Sequence, residues 1–474
     1  MSGQNPTAES AADAFVYGYP LVSGLSAVDA ALHKGFGTLG PAPFNHFSHA
    51  GRLASPDDHF LSVNNDTVYS VAQLDLSGGP LLLDVPDTGG AYCVLQFVDA
   101  WTNNFAYLGS RSTGTAKSRW LIAPPGWPGS EPDDVTGVID APTSVVTLVG
   151  RNACDGPDDM PRVAAIQQGL VLTPQDGAEH RTGLPAVDPD VPDELRFFER
   201  LRVWMADFPP SAADQAYQDR FQPLGLLEEG PSPYVNAEPA LVRALREGLA
   251  AGKERIESAS KAASSEAQSP EAQPSQAQSS EAQSSEAQVR PGEWEMSPHL
   301  FDYNLDHLGI GTIDSMQWRI DDREASYLTR AVAASTALWG SHGYEAVSAS
   351  TSTDAEGRPL TGATSYTVRF EQPPPVGSFW SMTMYDTPDQ YLVDNPIGRY
   401  SIGDRTPGLV YADDGSLTIR IGRERPSDPI EAANWLPAPE GGFRPMIRLY
   451  TPNEAVTDGS YRLPTIRPRA AQPG

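Results

Sequence analysis

Ala91-Tyr92-Cys93-Val94-Leu95-Gln96-Phe97-Val98 follows a Gly-Gly pair, runs into Asp99, and is dense in aromatic and β-branched residues. A segment of this length and composition between turn formers reads as a strand. Similar segments recur in the last third, at residues 365–370, 378–384, 417–421 and 446–450. The middle of the chain follows a helical period instead. Leu195, Phe198, Leu201, Met205 and Phe208 fall on one helical face, opened by Pro192-Asp193 and stopped by Pro209-Pro210. Residues 241–256 read as a second helix. Residues 324–339, with Leu328, Val332 and Leu338 on one side, read as a third that ends at Gly340. A short helix is expected around residues 11–16, ended or kinked by Pro20.

The expected fold is therefore mainly β with α: two jelly-roll-like β-sandwich domains joined by a helical middle region. Residues 1–190 would form the N-terminal sandwich with its opening helix, 191–263 and 293–345 helical segments, and 346–474 the C-terminal jelly-roll-like domain. Residues 264–288 repeat Ser-Ser-Glu-Ala-Gln units broken by Pro270 and Pro274. That composition buries too little apolar surface to offset ordering entropy, so a disordered linker is expected over 264–292.

A length of 474 residues exceeds one ordinary core, and 44 prolines and 42 glycines fit many turns between short strands. With 33 basic against 61 acidic residues the formal charge is −28, which repels phosphate backbones and argues against nucleic acid as a partner. Solubility is the simplest use of that charge. Cys93 and Cys154 stand far apart in no C-x-x-C spacing, so neither a disulfide scaffold nor a thiol redox motif is expected. Residues 1–10 lack a basic n-region, and no run of eighteen apolar residues occurs. Both points argue against a signal peptide and a membrane span, and give a cytoplasmic expectation with no membrane partner.

Several signatures are missing from the sequence, among them G-x-S-x-G and H-E-x-x-H. The nearest approach to a phosphate loop, residues 109–118, has Thr115 after Gly114 where a lysine is required, and no cofactor is expected. His46, His49 and His59 are close enough in sequence for a metal site, although ordinary loop histidines explain them more simply.

Two polar-aromatic blocks carry the candidate chemistry. The first holds Asn64, Asn65, Asp66, Thr67 and Tyr69; the second holds Gln96, Asp99, Trp101, Thr102, Asn103, Asn104 and Arg111. About one hairpin separates them, so Asn64, Asp66 and Tyr69 are expected to face Gln96, Asp99 and Asn103 across one sheet. Asp66 and Asp99 are then the acid/base candidates, Tyr69 a donor, Trp101 a stacking wall, and the amides, Thr67, Thr102 and Arg111 binding groups. The competing reading is that these residues brace turns and satisfy one another. In the C-terminal half Trp380, Tyr385, Asn434, Trp435 and Arg448 are the binding candidates. Strand alternation also fits Trp380 and Tyr385 to a core, while Trp435, between an amide and a Pro-terminated loop, reads as a lid on a pocket or a plug over the end of a sandwich.

At this point the residues resemble a known family. Tyr17-Gly18-Tyr19-Pro20, Asn65-Asp66-Thr67-Val68-Tyr69-Ser70, Thr102-Asn103-Asn104 and Gly150-Arg151 carry the likeness in the first half. In the second, Phe379-Trp380-Ser381, Met384-Tyr385-Asp386, Tyr400-Ser401-Ile402-Gly403, Asn434-Trp435-Leu436-Pro437 and Arg448-Leu449-Tyr450 do so. The chain is similar to the tandem family of domains of unknown function, twelve-fifty-four at the N-terminus and twelve-fourteen at the C-terminus. The resemblance implies paired jelly-roll-like domains with helices between, and no assigned reaction.

The expected function is a hydrolase-type enzyme acting on a small polar or glycan-like substrate in a cleft between the β domains. A non-catalytic carbohydrate- or metabolite-binding or assembly module is the alternative, with self-association into a homo-oligomer left open. A metal-dependent oxygenase or cyclase using His46, His49 or His59 is the third reading.

Overall fold

The computed structural model describes residues 5–175, 180–266 and 291–469. Most of the expected linker thus lies outside the described residues, and its first positions continue a helix that ends at Glu266. The N-terminal strands are β1 Phe47–His49, β2 Thr67–Asp75, β3 Leu81–Val85, β4 Cys93–Asp99, β5 Asn104–Gly109, β6 Ser118–Ala123, β7 Gly137–Asp140, β8 Val145–Ala153 and β9 Val171–Pro174. They form two sheets, ordered β1-β2-β8-β4-β5 and β7-β6-β3-β9. Leu74, Leu81, Leu83, Phe97, Trp120, Ile122 and Leu148 fill the space between them. The opening stretch at residues 91–98 is β4, at the centre of this sandwich.

In the C-terminal domain the strands are β10 Glu295–Met296, β11 Ala346–Ser350, β12 Tyr366–Phe370, β13 Val376–Asp386, β14 Ser401–Gly403, β15 Leu417–Gly422, β16 Trp435–Pro437, β17 Phe443–Pro452 and β18 Arg467–Pro468. Their order is β10-β11-β17-β13-β14 and β16-β15-β12-β18, around Tyr366, Val368, Trp380, Met382, Ile419 and Leu449. Strand for strand this repeats the N-terminal order, down to the one parallel pair in each four-stranded sheet, β6 with β7 and β15 with β16. A plain eight-stranded jelly roll has no such parallel strand. Because β10 precedes the third helix, the C-terminal sheet begins upstream of residue 346.

Five longer helices are α1 Ala8–His33, α2 Met160–Gly169, α3 Arg196–Asp207, α4 Pro239–Glu266 and α5 Arg323–Thr336. The expected helical periods become α3, α4 and α5. The short opening helix does not hold: α1 runs 26 residues with Pro20 inside it. An interior proline costs about 3 kcal/mol. Burying Phe15, Leu21, Val22, Leu25 and Val28 returns about 1.5–3 kcal/mol for each, so packing outweighs the lost hydrogen bond. By length and composition α1 would reach across a bilayer, yet most of that stretch is buried inside the protein, in a core shared with α3 and α5.

Candidate functional site

The register of the two domains sets their polar residues in matched positions. Arg151 of β8 lies between Tyr69 and Val94, while Arg448 of β17 lies between Ser348 and Ser381. By the same count Asp66 matches Glu345, Tyr92 matches Phe379, Gly109 matches Gly403, and Asp99 matches Asp386. The strap that leads into the second strand of each domain, residues 62–66 before β2 and 339–345 before β11, crosses to the other domain. Asp66 accepts hydrogen bonds from Ser381 Oγ (2.7 Å) and Tyr450 Oη (3.0 Å), and Glu345 accepts them from Tyr92 Oη (3.0 Å) and Arg111 Nε (2.6 Å).

The arginines repeat the exchange. Arg151 donates to Gln96 Oε1 (2.6 Å) and the Trp339 carbonyl (3.2 Å), with its guanidinium 5.3 Å from the Tyr69 ring centroid. Arg448 donates to Thr383 Oγ1 (3.2 Å) and the Ser62 carbonyl (2.8 Å), 5.5 Å from the centre of Tyr385. Trp339 and Ser62, which supply those carbonyls, both have left-handed backbones, at φ 60° and 49°. Where the straps meet, Tyr92 and Phe379 touch edge to face at 5.6 Å. Reciprocal contacts between matched residues are the pattern of an isologous interface, drawn here within one chain.

This geometry fills the space between the β domains. The expected pairing of Asp66 with Asp99 is corrected: β8 pairs Ala153 with Thr67 and Val146 with Asp99, seven residues apart. That is roughly 23 Å along the strand at about 3.3 Å per residue. Asn64 braces the strap, accepting from Asp66 N (2.7 Å) and donating to Tyr450 Oη (2.9 Å), and Asn65 donates to the Ala54 carbonyl. Thr67 is buried at the start of β2, and Tyr385 donates to the Val63 carbonyl at 2.6 Å. Arg111 is held by Glu345, and Gln96 and Asn104 bond each other and the Gly340 carbonyl.

Trp101, Trp380 and Trp435 are all buried. Trp101 donates to the Phe208 carbonyl (2.8 Å), Trp435 donates to that of Gly422 (2.8 Å), and Trp380 packs on Phe370. Asn434 ties the Val410 and Thr418 carbonyls. His46, His49 and His59 make separate contacts, with the Phe44 carbonyl, Ser70 Oγ and the Tyr391 ring. No group of three metal-ligating side chains converges among the described residues.

Asp99 lies elsewhere, at the end of β4 under the helical layer. Its carboxylate accepts from Trp101 N (2.9 Å), Asn103 N (2.8 Å) and Asn103 Nδ2 (2.9 Å). Thr102 between them is left-handed at φ 65°, and its carbonyl is fixed by Tyr303 Oη at 2.9 Å. Burial raises the Asp99 pKa above the usual carboxylate value, partly opposed by the charges of His307 and Arg330 and by the Asn103 hydrogen bonds. Beside it opens a narrow recess, no larger than a single water, lined by Asp99, Asn103, Arg330, Asp214, Asp306 and His307.

Two side-chain atoms of these lining residues lack hydrogen-bond partners, the acceptor Asn103 Oδ1 and the donor Arg330 Nε. Both residues are 6% exposed. The rim carboxylates are already occupied: Asp214 by Arg323, Tyr327 and Tyr17, and Asp306 by Arg323. Of the sequence candidates, Asp99, Trp101 and Asn103 therefore border one recess, and Thr102 shapes its turn. Arg330, His307 and Tyr303 were not foreseen, because a lone arginine on an alanine-rich helix carries no motif. The crossed interface did have a signal, Gly109-Ser110-Arg111 repeated as Gly403-Asp404-Arg405 at the end of the fifth strand of each domain.

Comparison with known proteins matches residues 44–174 to the family described as Protein of unknown function (DUF1254) and residues 345–454 to Protein of unknown function (DUF1214). The crystal structure of the VPA0106 protein from Vibrio parahaemolyticus is similar at a TM-score of 0.72 and 21% identity, covering 98% of this chain and 100% of that one. At that identity the likeness shows a shared fold. An uncharacterised protein from Burkholderia cenocepacia aligns with a TM-score of 0.41 and 10% identity, over 96% of this chain and 88% of that one. No curated protein matches.

Proposed function

We propose that in this chain, which belongs to the tandem family with DUF1254 at the N-terminus and DUF1214 at the C-terminus, the Asp99 recess is the site of a hydrolase-type enzyme for a small neutral polar substrate. One observation carries the reading. A buried acceptor and a buried donor, Asn103 Oδ1 and Arg330 Nε, stand unpartnered on residues that border a recess, beside a carboxyl with a raised pKa. Unsatisfied buried groups are costly, and a hydroxyl or carboxamide, being donor and acceptor at once, satisfies both.

Asp99 is suited to proton transfer because burial brings its carboxyl nearer neutral pH than a free aspartate. In the proposed step a water oxygen bonds to the substrate carbon as the leaving-group bond breaks. The water proton passes to Asp99 and on to the departing group. A second reading, binding without turnover, is favoured by the three hydrogen bonds that already hold the Asp99 carboxylate.

The test is a panel of simple amides, polyols and alkyl glycosides at millimolar concentration, followed by thermal shift and by product analysis. The expected result is stabilisation by members of the panel that is lost in Arg330→Met and Asn103→Ala. Hydrolysis that stops in Asp99→Asn supports the enzyme, and binding without product supports the second reading. Stabilisation equal in all variants, or none at all, removes the site.

A further inference from the structure

Between β10 and α5 the chain turns at residues 299–302, where the Asp302 amide donates to the His299 carbonyl. The turn sets an imidazole against a buried carboxyl: His299 Nδ1 lies 2.7 Å from Asp302 Oδ2. The Asp302 side chain is 2% exposed and that of His299 47%, with the imidazole tilted on Trp318 at 4.8 Å. Among the described residues this imidazole is the one hydrogen-bond partner of the carboxyl, since Asp302 Oδ1 is buried without any. A carboxyl buried for a single partner is a poor device for stability. It does fix the ring. An ionised carboxylate can only accept, so Nδ1 carries the proton and the lone pair is left on Nε2, which takes no hydrogen bond among the described residues. His33 gives the contrast within the same chain. Its Nδ1 bonds the Asp29 carbonyl at 2.9 Å, and the nearest carboxylate oxygen, on Asp29, is 3.5 Å away on a side chain 59% exposed.

We propose that His299 and Asp302 form a second reactive centre, separate from the Asp99 recess, in which Asp302 orients His299 so that Nε2 attacks activated acyl groups such as aryl esters. His299 is the catalytic residue and Asp302 a positioning residue. Nε2 bonds to the acyl carbon while the ester C–O bond breaks, and the phenolate leaves with its electron pair. The ring is then cationic, and the buried carboxylate 2.7 Å from Nδ1 stabilises that charge more than an exposed one could. Water next adds to the acyl carbon and the acyl–nitrogen bond breaks. Its electron pair returns to Nε2, the carboxylic acid departs and a proton passes to solvent, so the sum is ester plus water to acid plus phenol.

The test treats the full-length protein with diethyl pyrocarbonate, an activated acyl donor, and follows each histidine by mass spectrometry. His299 is expected to be acylated at least about tenfold faster than His33, a comparison within the wild-type chain that needs no variant to fold. Asp302→Asn should bring His299 down toward the His33 rate while His33 itself is unchanged, an asymmetry that a loosened fold would not produce. p-Nitrophenyl acetate then tests turnover. Phenolate release above the rate in buffer should continue past one equivalent and be lost in His299→Gln. His299 labelled no faster than His33 overturns the proposal, and so does a His299 rate unchanged in Asp302→Asn. Release that stops at one equivalent, or that His299→Gln leaves as it was, overturns turnover at this centre.

Discussion

The two β domains share one strand order and differ in what lies on them. The outer face of the C-terminal five-stranded sheet is covered by a strap, residues 62–66, whose Ser62 and Val63 carbonyls accept from Arg448 and Tyr385 and whose Asp66 carboxylate accepts from Ser381 and Tyr450. The N-terminal sheet is covered partly by the returning strap around Trp339 and partly by helices α1 and α5. At the helical half two unpartnered groups, Asn103 Oδ1 and Arg330 Nε, border one recess. The matched turns show this most directly: Asp386 accepts from Tyr391 N at 2.7 Å in a strap-covered turn, whereas Asp99 sits beside Asn103 and the helix-borne Arg330. A duplicated scaffold thus supplied two equivalent carboxylates, and the helical layer made a recess at one of them.

The comparison can be broken most severely at the glycines that end the fifth strands. A Cβ on Gly109 would lie 2.2 Å from the Cys93 carbonyl oxygen, and one on Gly403 would lie 2.1 Å from that of Trp380. Both neighbours are backbone, so relief requires the strands to part. Gly109→Ala and Gly403→Ala are each expected to cost about 3 kcal/mol or more, read by urea unfolding. Gly109 should be the worse because it also holds φ +126°. A cost under about 1 kcal/mol at either would show that the close strand crossing is not shared.

A smaller effect separates the crossed carboxylates. Glu345→Ala removes the partner of Arg111, whose side chain is 16% exposed, and of the buried Tyr92 hydroxyl. Leaving a mostly buried guanidinium unpaired should cost about 2–3 kcal/mol after allowance for its partial hydration. Asp66→Ala leaves two hydroxyls, Ser381 and Tyr450, and Tyr450 retains Asn64; about 1–2 kcal/mol is expected. Equal costs, or the reverse order, would mean that the two halves of the exchange are not equivalent in kind.

Much of this architecture was legible in the sequence because periodicity reports burial. The apolar stripe from Leu195 to Phe208 had to become a helix against a core, and residues 91–98 a buried strand. The full length of α1 is not legible because Pro20 is a local signal, while the burial that overrides it is set by helices far along the chain. The site was half legible. Asp99 and Asn103 belong to one short turn, so their shared role could be read from spacing. Asp66 and Asp99 could not be separated by spacing, since register along β8 places them at its opposite ends. Arg330 enters from a helix more than two hundred residues away, and nothing local in sequence links it to that turn.

The finest difference between the domains lies in the two matched aspartates, and pH exposes it. Asp99 has a pKa raised chiefly by burial, so charging it opposes folding. Its contribution to stability is fully present below the ordinary value of 3.8 and is lost as pH rises through the raised one. Asn at this position never charges. It keeps the acceptor for Trp101 N and Asn103 N, and its amide can donate to Asn103 Oδ1 once that side chain turns over. Asp99→Asn should therefore gain on the wild type as pH rises across that window and hold its gain above it, as read from urea midpoints at a series of pH values. Asp386→Asn retains the acceptor for Tyr391 N and meets no unpartnered neighbour, so its cost at pH 7 should be no more than about 0.5 kcal/mol. A pH trace for Asp99→Asn that runs parallel to the wild type's would erase the distinction on which the Asp99 recess depends, because burial beside the helical layer would then leave no mark on the carboxyl it encloses.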